Sequence, residues 1–272
     1  SQFNLQFQLD TTLSDLERFP LRLTDLVVME LDDHAPEKIV WSSGAEYRIS
    51  DLPAVGFSGD YYHRPAFLHG DWIEFQGCVM HIDPSGKGAD ETAYAIVAHL
   101  NGNLFVLEVG SFREGYTESV LEGLAQAAKR QKVKLILLED QFGQGMLASL
   151  LQPYLRKIYP CTIEPTRSNV QKERRIINAL EPVLNQHRLI MNRSVIEVDA
   201  KARENDPVEK ALSYQLFHQL THITVEKNCL QHDDRLDALA GAVEYWNESL
   251  AIDEDRAIKE RESELWDLEL AA

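Results

Sequence analysis

The chain is 272 residues long, 44% hydrophobic and 26% charged, with a formal net charge of −17. That composition describes an ordinary globular protein with room for one large domain or two small ones, and no apolar run approaches the roughly 18 residues of a membrane span. The start, Ser-Gln-Phe-Asn-Leu-Gln-Phe-Gln-Leu-Asp, has neither the basic residues nor the apolar stretch of a secretion signal.

It also lacks an initiator Met, as expected of a processed chain or of a piece of a longer one. Cys78, Cys161 and Cys229 are odd in number and far apart, which argues for a reducing compartment. Net negative charge speaks against a nucleic-acid partner, but its distribution qualifies this. Acids outnumber Lys and Arg before residue 76 and after residue 250, whereas Lys and Arg prevail between 130 and 188.

Residues 1–75 read as an irregular lead-in. Within it Leu-Thr-Asp-Leu-Val-Val-Met-Glu-Leu suits a short strand or a short helix, which Pro36 limits, and Pro53, Gly56, Gly59 and Pro65 mark loops. From residue 75 the pattern sharpens. Phe75–Ile82, Ala93–Leu100 and Leu104–Val109 read as three strands with short connections, including the turn Asn101-Gly102-Asn103, so they should form an antiparallel meander. A helix capped by Thr117 follows, with Val120, Leu121, Leu124, Ala125 and Ala128 on one face.

Lys134–Leu138 is a compact buried strand ending at Glu139. A helix over 145–157, a short strand at 161–163 and a helix over 170–186 come next; Pro182 should start a new turn of the last or kink it. Leu189–Met191 is a small extended piece, and 214–223 and 234–250 are the final helices. The acidic tail, 251–272, is helical or frayed.

Three acidic clusters stand at the edges of apolar runs: Asp83 in Asp-Pro-Ser-Gly-Lys-Gly-Ala-Asp-Glu-Thr, Glu139-Asp140, and Asp233, Asp234 and Asp237 in His-Asp-Asp-Arg-Leu-Asp. Each alone has an ordinary explanation: a turn residue, a solvated strand end, a helix cap. Together they suit a pair of hard divalent cations, which prefer carboxylate oxygens and act together in phosphodiester cleavage. On a helix Asp234 and Asp237 share a face, while Asp233 is rotated by about 100° from Asp234. Asp90 and Glu91 are near enough to serve as auxiliary ligands, or else belong to a surface turn.

Other motifs carry less. Gly86-Lys87-Gly88 lacks the spacing of a phosphate-binding P-loop, and His222, Cys229 and His232 have neither the spacing nor the fourth ligand of a zinc site. Arg167, Lys172, Arg174 and Arg175 form the densest basic patch, a candidate contact for DNA phosphates or simply a solvated helix face.

The element order, three strands followed by alternating helices and strands, is that of an α/β RNase H-like mixed sheet with helices on both faces. In that fold the first and fourth strands are neighbours, which would bring Asp83 and Glu139 together. Across about 76–250, the segments Asp-Pro-Ser-Gly-Lys-Gly-Ala-Asp-Glu-Thr-Ala-Tyr, Glu-Asp-Gln-Phe-Gly-Gln-Gly-Met and His-Asp-Asp-Arg-Leu-Asp-Ala-Leu-Ala resemble the nuclease domain of phage terminase large subunits. Lys-Glu-Arg-Arg-Ile and Leu-Glu-Pro-Val-Leu resemble the short-tailed phage branch.

The resemblance implies an endonuclease that cuts concatemeric double-stranded DNA during genome packaging in the host cytoplasm, at the viral procapsid, using two Mg²⁺ or Mn²⁺ ions. The small terminase subunit and the portal would be its partners. Asp83, Glu139 and the Asp233-Asp234 pair fall at the family's metal-binding positions, with Asp234 favoured as principal helix ligand and Asp237 and Asp90 as further candidates. The family's ATPase domain is not in this sequence, so residues 1–75 would lead toward it. A Holliday-junction resolvase, another RNase H-like nuclease, or a non-catalytic DNA-binding or docking module are the competing readings.

Overall fold

The computed structural model of the chain describes residues 18–57, 59–84, 91–139 and 145–270, with side chains as far as residue 253. Eleven strands are described: β1 (Val27–Met29), β2 (His34–Val40), β3 (Arg48–Ile49), β4 (Tyr62–His63), β5 (Phe67–Glu74), β6 (Gly77–Asp83), β7 (Thr92–Leu100), β8 (Asn103–Phe112), β9 (Leu135–Glu139), β10 (Thr162–Thr166) and β11 (Leu189–Asn192). The α-helices are α1 (Glu118–Arg130), α2 (Met146–Ile158), α3 (Lys172–Asn185), α4 (Arg193–Ala200), α5 (Val208–Ser213), α6 (Leu216–His222) and α7 (Asp234–Leu270).

Nine strands form one sheet in the order β10-β9-β6-β7-β8-β11-β1-β4-β3, and β2 and β5 pair antiparallel as a separate two-stranded sheet. The meander β6–β7–β8 is antiparallel, as its short connections require. β9 lies parallel against β6, β10 against β9, and β11 against β8. The expected adjacency of first and fourth core strands is therefore present, as a mixed sheet.

Apolar residues on both parities of the central strands bury the sheet on two faces. Val79, Ala93, Ala95, Val97 and Leu137 pack with α3, α4, α6 and α7. Met80, Ile82, Ile96, Ile136 and Leu138 point the other way and pack with α1 and α2. Helix α3 runs through Pro182 without ending there.

Residues 18–75 are not a separate lead-in. β1 pairs in parallel with β11 and β4, and β3 closes the sheet against β4. Leu21, Leu23, Leu26, Val28 and Tyr62 are buried in the same core as α3 and α6. The strands concerned are two to three residues long, too short to show a period. Pro36 lies inside β2, tolerated because β2 is an edge strand beside an irregularity at Pro36–Lys38.

Candidate functional site

Strand parity and register assemble the acids. Asp83 is two residues beyond His81 and four beyond Val79, so it shares their face, toward α7. Glu139 stands in the same relation to Leu137. Ile82 is in register with Leu138, so Asp83 and Glu139 come next to each other at the ends of β6 and β9. On α7 the third acid is Asp237, fully buried in the first turn. One carboxylate oxygen from each of Asp83, Glu139 and Asp237 lies within 4.8 Å of the others.

Of the three candidate helix acids, packing thus turns Asp237 into this cluster, not the favoured Asp234, whose Oδ2 accepts the Glu91 N–H at 3.4 Å. Asp233 pairs with Lys172 at 2.9 Å. Asp90, Lys87 and Asp140 lie outside the described residues.

Two of the four residues expected on DNA phosphates face carboxylates instead. Lys172 Nζ is 3.6 Å from Asp83 and 3.0 Å from Asp237 as well as bonding Asp233. Arg175 ion-pairs with Asp237, lies 4.0 Å from Glu139 and reaches Glu244 at 3.6 Å. Their three-residue spacing does place them together, but on the face of α3 that packs against α7. Arg167 and Arg174 are exposed.

Burial, then the neighbouring Asp237, pushes the Asp83 carboxyl well above the usual range; Lys172 offsets this in part, and Glu139 and Asp234 add to it. Burial works against the Lys172 charge, yet Asp237, Asp83 and Asp233 outweigh it and push the amine up. Even so, among the described residues Glu139 Oε2 and Asp237 Oδ2 are buried and accept no hydrogen bond, although Asp237 Oδ2 ion-pairs with Lys172 at 3.0 Å. Buried carboxylate oxygens left in this state fit a site for additional positive charge. The donors are all oxygens, as hard cations require.

Beside the cluster lies a buried ionic network that sequence reading did not find. Glu91, 2% exposed, accepts hydrogen bonds from Arg203 at 2.9 Å, Arg235 at 3.4 Å and Ser111 at 2.6 Å. Arg235 also bonds Asp199, which accepts the N–H groups of Leu216 and Phe217 at the start of α6. Burial favours a neutral Glu91, but Arg235, Ser111 and Arg203 reverse the balance and lower its carboxyl. With its oxygens committed in this way, Glu91 orients the start of α7. The partners lie 112 and 144 residues from Glu91, beyond any local signal.

Among the described residues His222, Cys229 and His232 do not converge on a common point. Cys229 Sγ instead exchanges hydrogen bonds with the Thr224 backbone. The other acidic group, Asp32, Asp33 and His34, is on the surface, where Lys132 bonds Asp33 at 2.6 Å.

Residues 82–189 match the family model described as Terminase Bacteriophage T7, Ribonuclease H-like domain. The terminase large subunit of enterobacteria phage T3 is 39% identical over 252 residues, covering 92% of this chain and 43% of that protein. The chain therefore spans less than half the length of that curated relative. Among solved structures, the human cytomegalovirus terminase nuclease domain, manganese-soaked and inhibitor-bound, aligns at 13% identity with a TM-score of 0.44, covering 62% of this chain and 82% of that one. The nuclease domain of the large terminase subunit of bacterial virus Sf6 aligns at 16% identity with a TM-score of 0.40, covering 64% and 89%. Residues 82–189 thus carry the sequence pattern of the ribonuclease H-like domain of bacteriophage T7 terminase, within a chain similar over most of its length to a phage terminase large subunit.

Proposed function

We propose that the chain is a divalent-metal-dependent endodeoxyribonuclease, with Asp83, Glu139 and Asp237 as the carboxylates that hold the metal. The observation that carries this reading is the convergence of three buried or half-buried acids from β6, β9 and α7, two of them with an oxygen that accepts no hydrogen bond among the described residues. A pair of Mg²⁺ or Mn²⁺ ions would supply an activated water and neutralise charge on the leaving oxygen of a phosphodiester. The protein's part is to fix the acids on rigid elements and to hold the site electrostatically closed. Lys172 and Arg175 balance the acids, and the Glu91 network holds α7 at the rotation that aims Asp237 inward. Asp233 and Asp234, next to Asp237 in the chain, would be the further candidates for a second cation.

The substrate we propose is concatemeric double-stranded viral DNA, cut during packaging in the host cytoplasm, with the small terminase subunit and the portal as partners of the longer protein. The likeness to a phage terminase large subunit supports this assignment. Supercoiled plasmid is the test substrate. The chain should nick or linearise it with Mn²⁺ or Mg²⁺ and stop on addition of EDTA. Asp83→Ala and Asp237→Ala should each lower the rate by about 100-fold or more, the scale of losing a principal charge-stabilising group. Undiminished cleavage by Asp83→Ala would overturn the assigned site.

A further inference from the structure

The sheet has two edges, and chemistry is unevenly shared between them. β7 is antiparallel to both β6 and β8, so β10, β9, β6, β8, β11, β1 and β4 all run the same way. Their carboxyl ends form one rim. Asp83 and Glu139 close β6 and β9 on that rim. Moving away from them, β8 is followed by Arg113, β11 by Arg193 and β4 by Arg64, while Arg48 opens the antiparallel β3 beside β4.

At the far end these side chains surround a pocket of about 320 Å³ lined by Arg48, Arg64, Arg193, Glu30 and Asp51. Arg193 bonds Asp51 at 2.6 Å and Glu197 at 2.9 Å, which neutralises that acid. Arg48 and Arg64 are different. Each guanidinium is held over a tyrosine ring, Arg48 over Tyr61 at 4.6 Å and Arg64 over Tyr47 at 5.5 Å. Among the described residues neither forms an ion pair with a carboxylate, although Arg64 donates one bond to the Glu46 carbonyl. An aromatic face orients a guanidinium and leaves its N–H edges for a planar or tetrahedral anion.

We propose that this pocket binds the phosphate backbone of duplex DNA, at a distance from the site of cleavage and on the same rim. The inference rests on the DNA-cleaving reading above. Four to five strand spacings separate β6 from β1 and β4, which at about 4.8 Å each is roughly 20–24 Å. At 3.4 Å per base pair, that spans on the order of six to seven base pairs from the acid cluster. Arg113 stands between the two, its side chain 54% exposed but ion-paired with Glu91 at 3.4 Å, so among the described residues Arg48 and Arg64 carry the unpaired charge of this rim. Against the chain's overall charge of −17, a local concentration of arginines gives DNA a more favourable place to approach.

The test is equilibrium binding of the whole 272-residue chain to a labelled duplex in EDTA, so that no cleavage takes place. Affinity is measured across a salt series, for wild type, for Arg48→Ala/Arg64→Ala, and for Lys129→Ala/Lys157→Ala. The last pair removes the same charge from helix ends leading to the opposite edge. The arginine pair should weaken binding by roughly tenfold and reduce the slope of log K against log salt by about 1.8, two phosphate contacts. The difference from wild type should disappear on duplexes too short to reach from the acids to the pocket. Wild-type affinity and slope in the arginine variant, with an unchanged melting temperature, overturn the proposal, as does an equal loss in the lysine variant. A wild-type chain that binds no duplex overturns this inference and the DNA-cleaving reading together. Metal-independent binding without any metal-dependent cleavage sinks the cleavage reading alone.

Discussion

Glu91 shows how much a single side chain carries here. Replacing it with Ala takes a shared carboxylate from Arg203 and Arg235, both nearly buried, and leaves them only Asp206 and Asp199 respectively. Breaking a buried pair from one side costs about 3–5 kcal/mol, so Glu91→Ala should lower the urea midpoint of unfolding by that equivalent. Histidines give a second residue-scale prediction. Burial holds the folded pKa of His218 down to about 4, with His222 adding to the effect, and that of His81 to about 3. Both lie below the unfolded value near 6.5, so the unfolded chain binds more protons as pH drops. The penalty is absent above about 6.5 and complete only below the folded values. Melting temperature should therefore fall between pH 6.5 and 4, and fall less steeply in His218→Gln. At this scale the acids were legible as motifs, because carboxylates beside apolar runs are conspicuous. The choice of Asp237 over Asp234 was not, since packing against β6 and β9 sets the rotation of α7. For the same reason Lys172 and Arg175 could be paired from sequence but not aimed.

At the level of elements, the meeting of β6 with α7 turns on a missing methyl group. A Cβ on Gly241 would overlap the ring of His81, which shares its strand face with Asp83. Gly241→Ala should destabilise the fold by about 1–3 kcal/mol, the usual cost of overpacking. In a double-mutant cycle His81→Ala should relieve part of that, with a coupling above about 0.5 kcal/mol in denaturant titrations. Additive effects would show that the two residues do not press on each other. The long elements were readable because a near-continuous apolar run, as in β7, or a 3.6-residue period, as in α1, persists over many residues. Helices α4 and α5, at eight and six residues, are too short to establish a period against their surroundings.

For the whole molecule, the informative case is the segment before residue 76, read from sequence as a lead-in because its Pro and Gly residues interrupt every pattern. It supplies β1, β3 and β4 to the sheet and Leu21, Leu23, Leu26 and Tyr62 to the core. A fragment of residues 76–272 would expose β11 as an unpaired apolar edge, a template for aggregation. Such a fragment should elute as aggregates in size-exclusion chromatography and lack a cooperative melt. A monodisperse, cooperatively melting fragment would instead restore the boundary near residue 75.

The pairing of β1 with β11 also constrains the order of events at the ribosome. The neighbouring contact between Leu31 and Asn192 closes a span of 161 residues. At about 5–20 residues per second of synthesis, roughly 8–32 s pass between the emergence of the two. Throughout that interval β1 lacks β11 and has only the two-residue β4 to pair with, so Val27 and Val28 leave a half-protected apolar stretch that a chaperone can hold. Completion of the sheet is thus a late step of biosynthesis, set by translation speed and by slow, non-local closure.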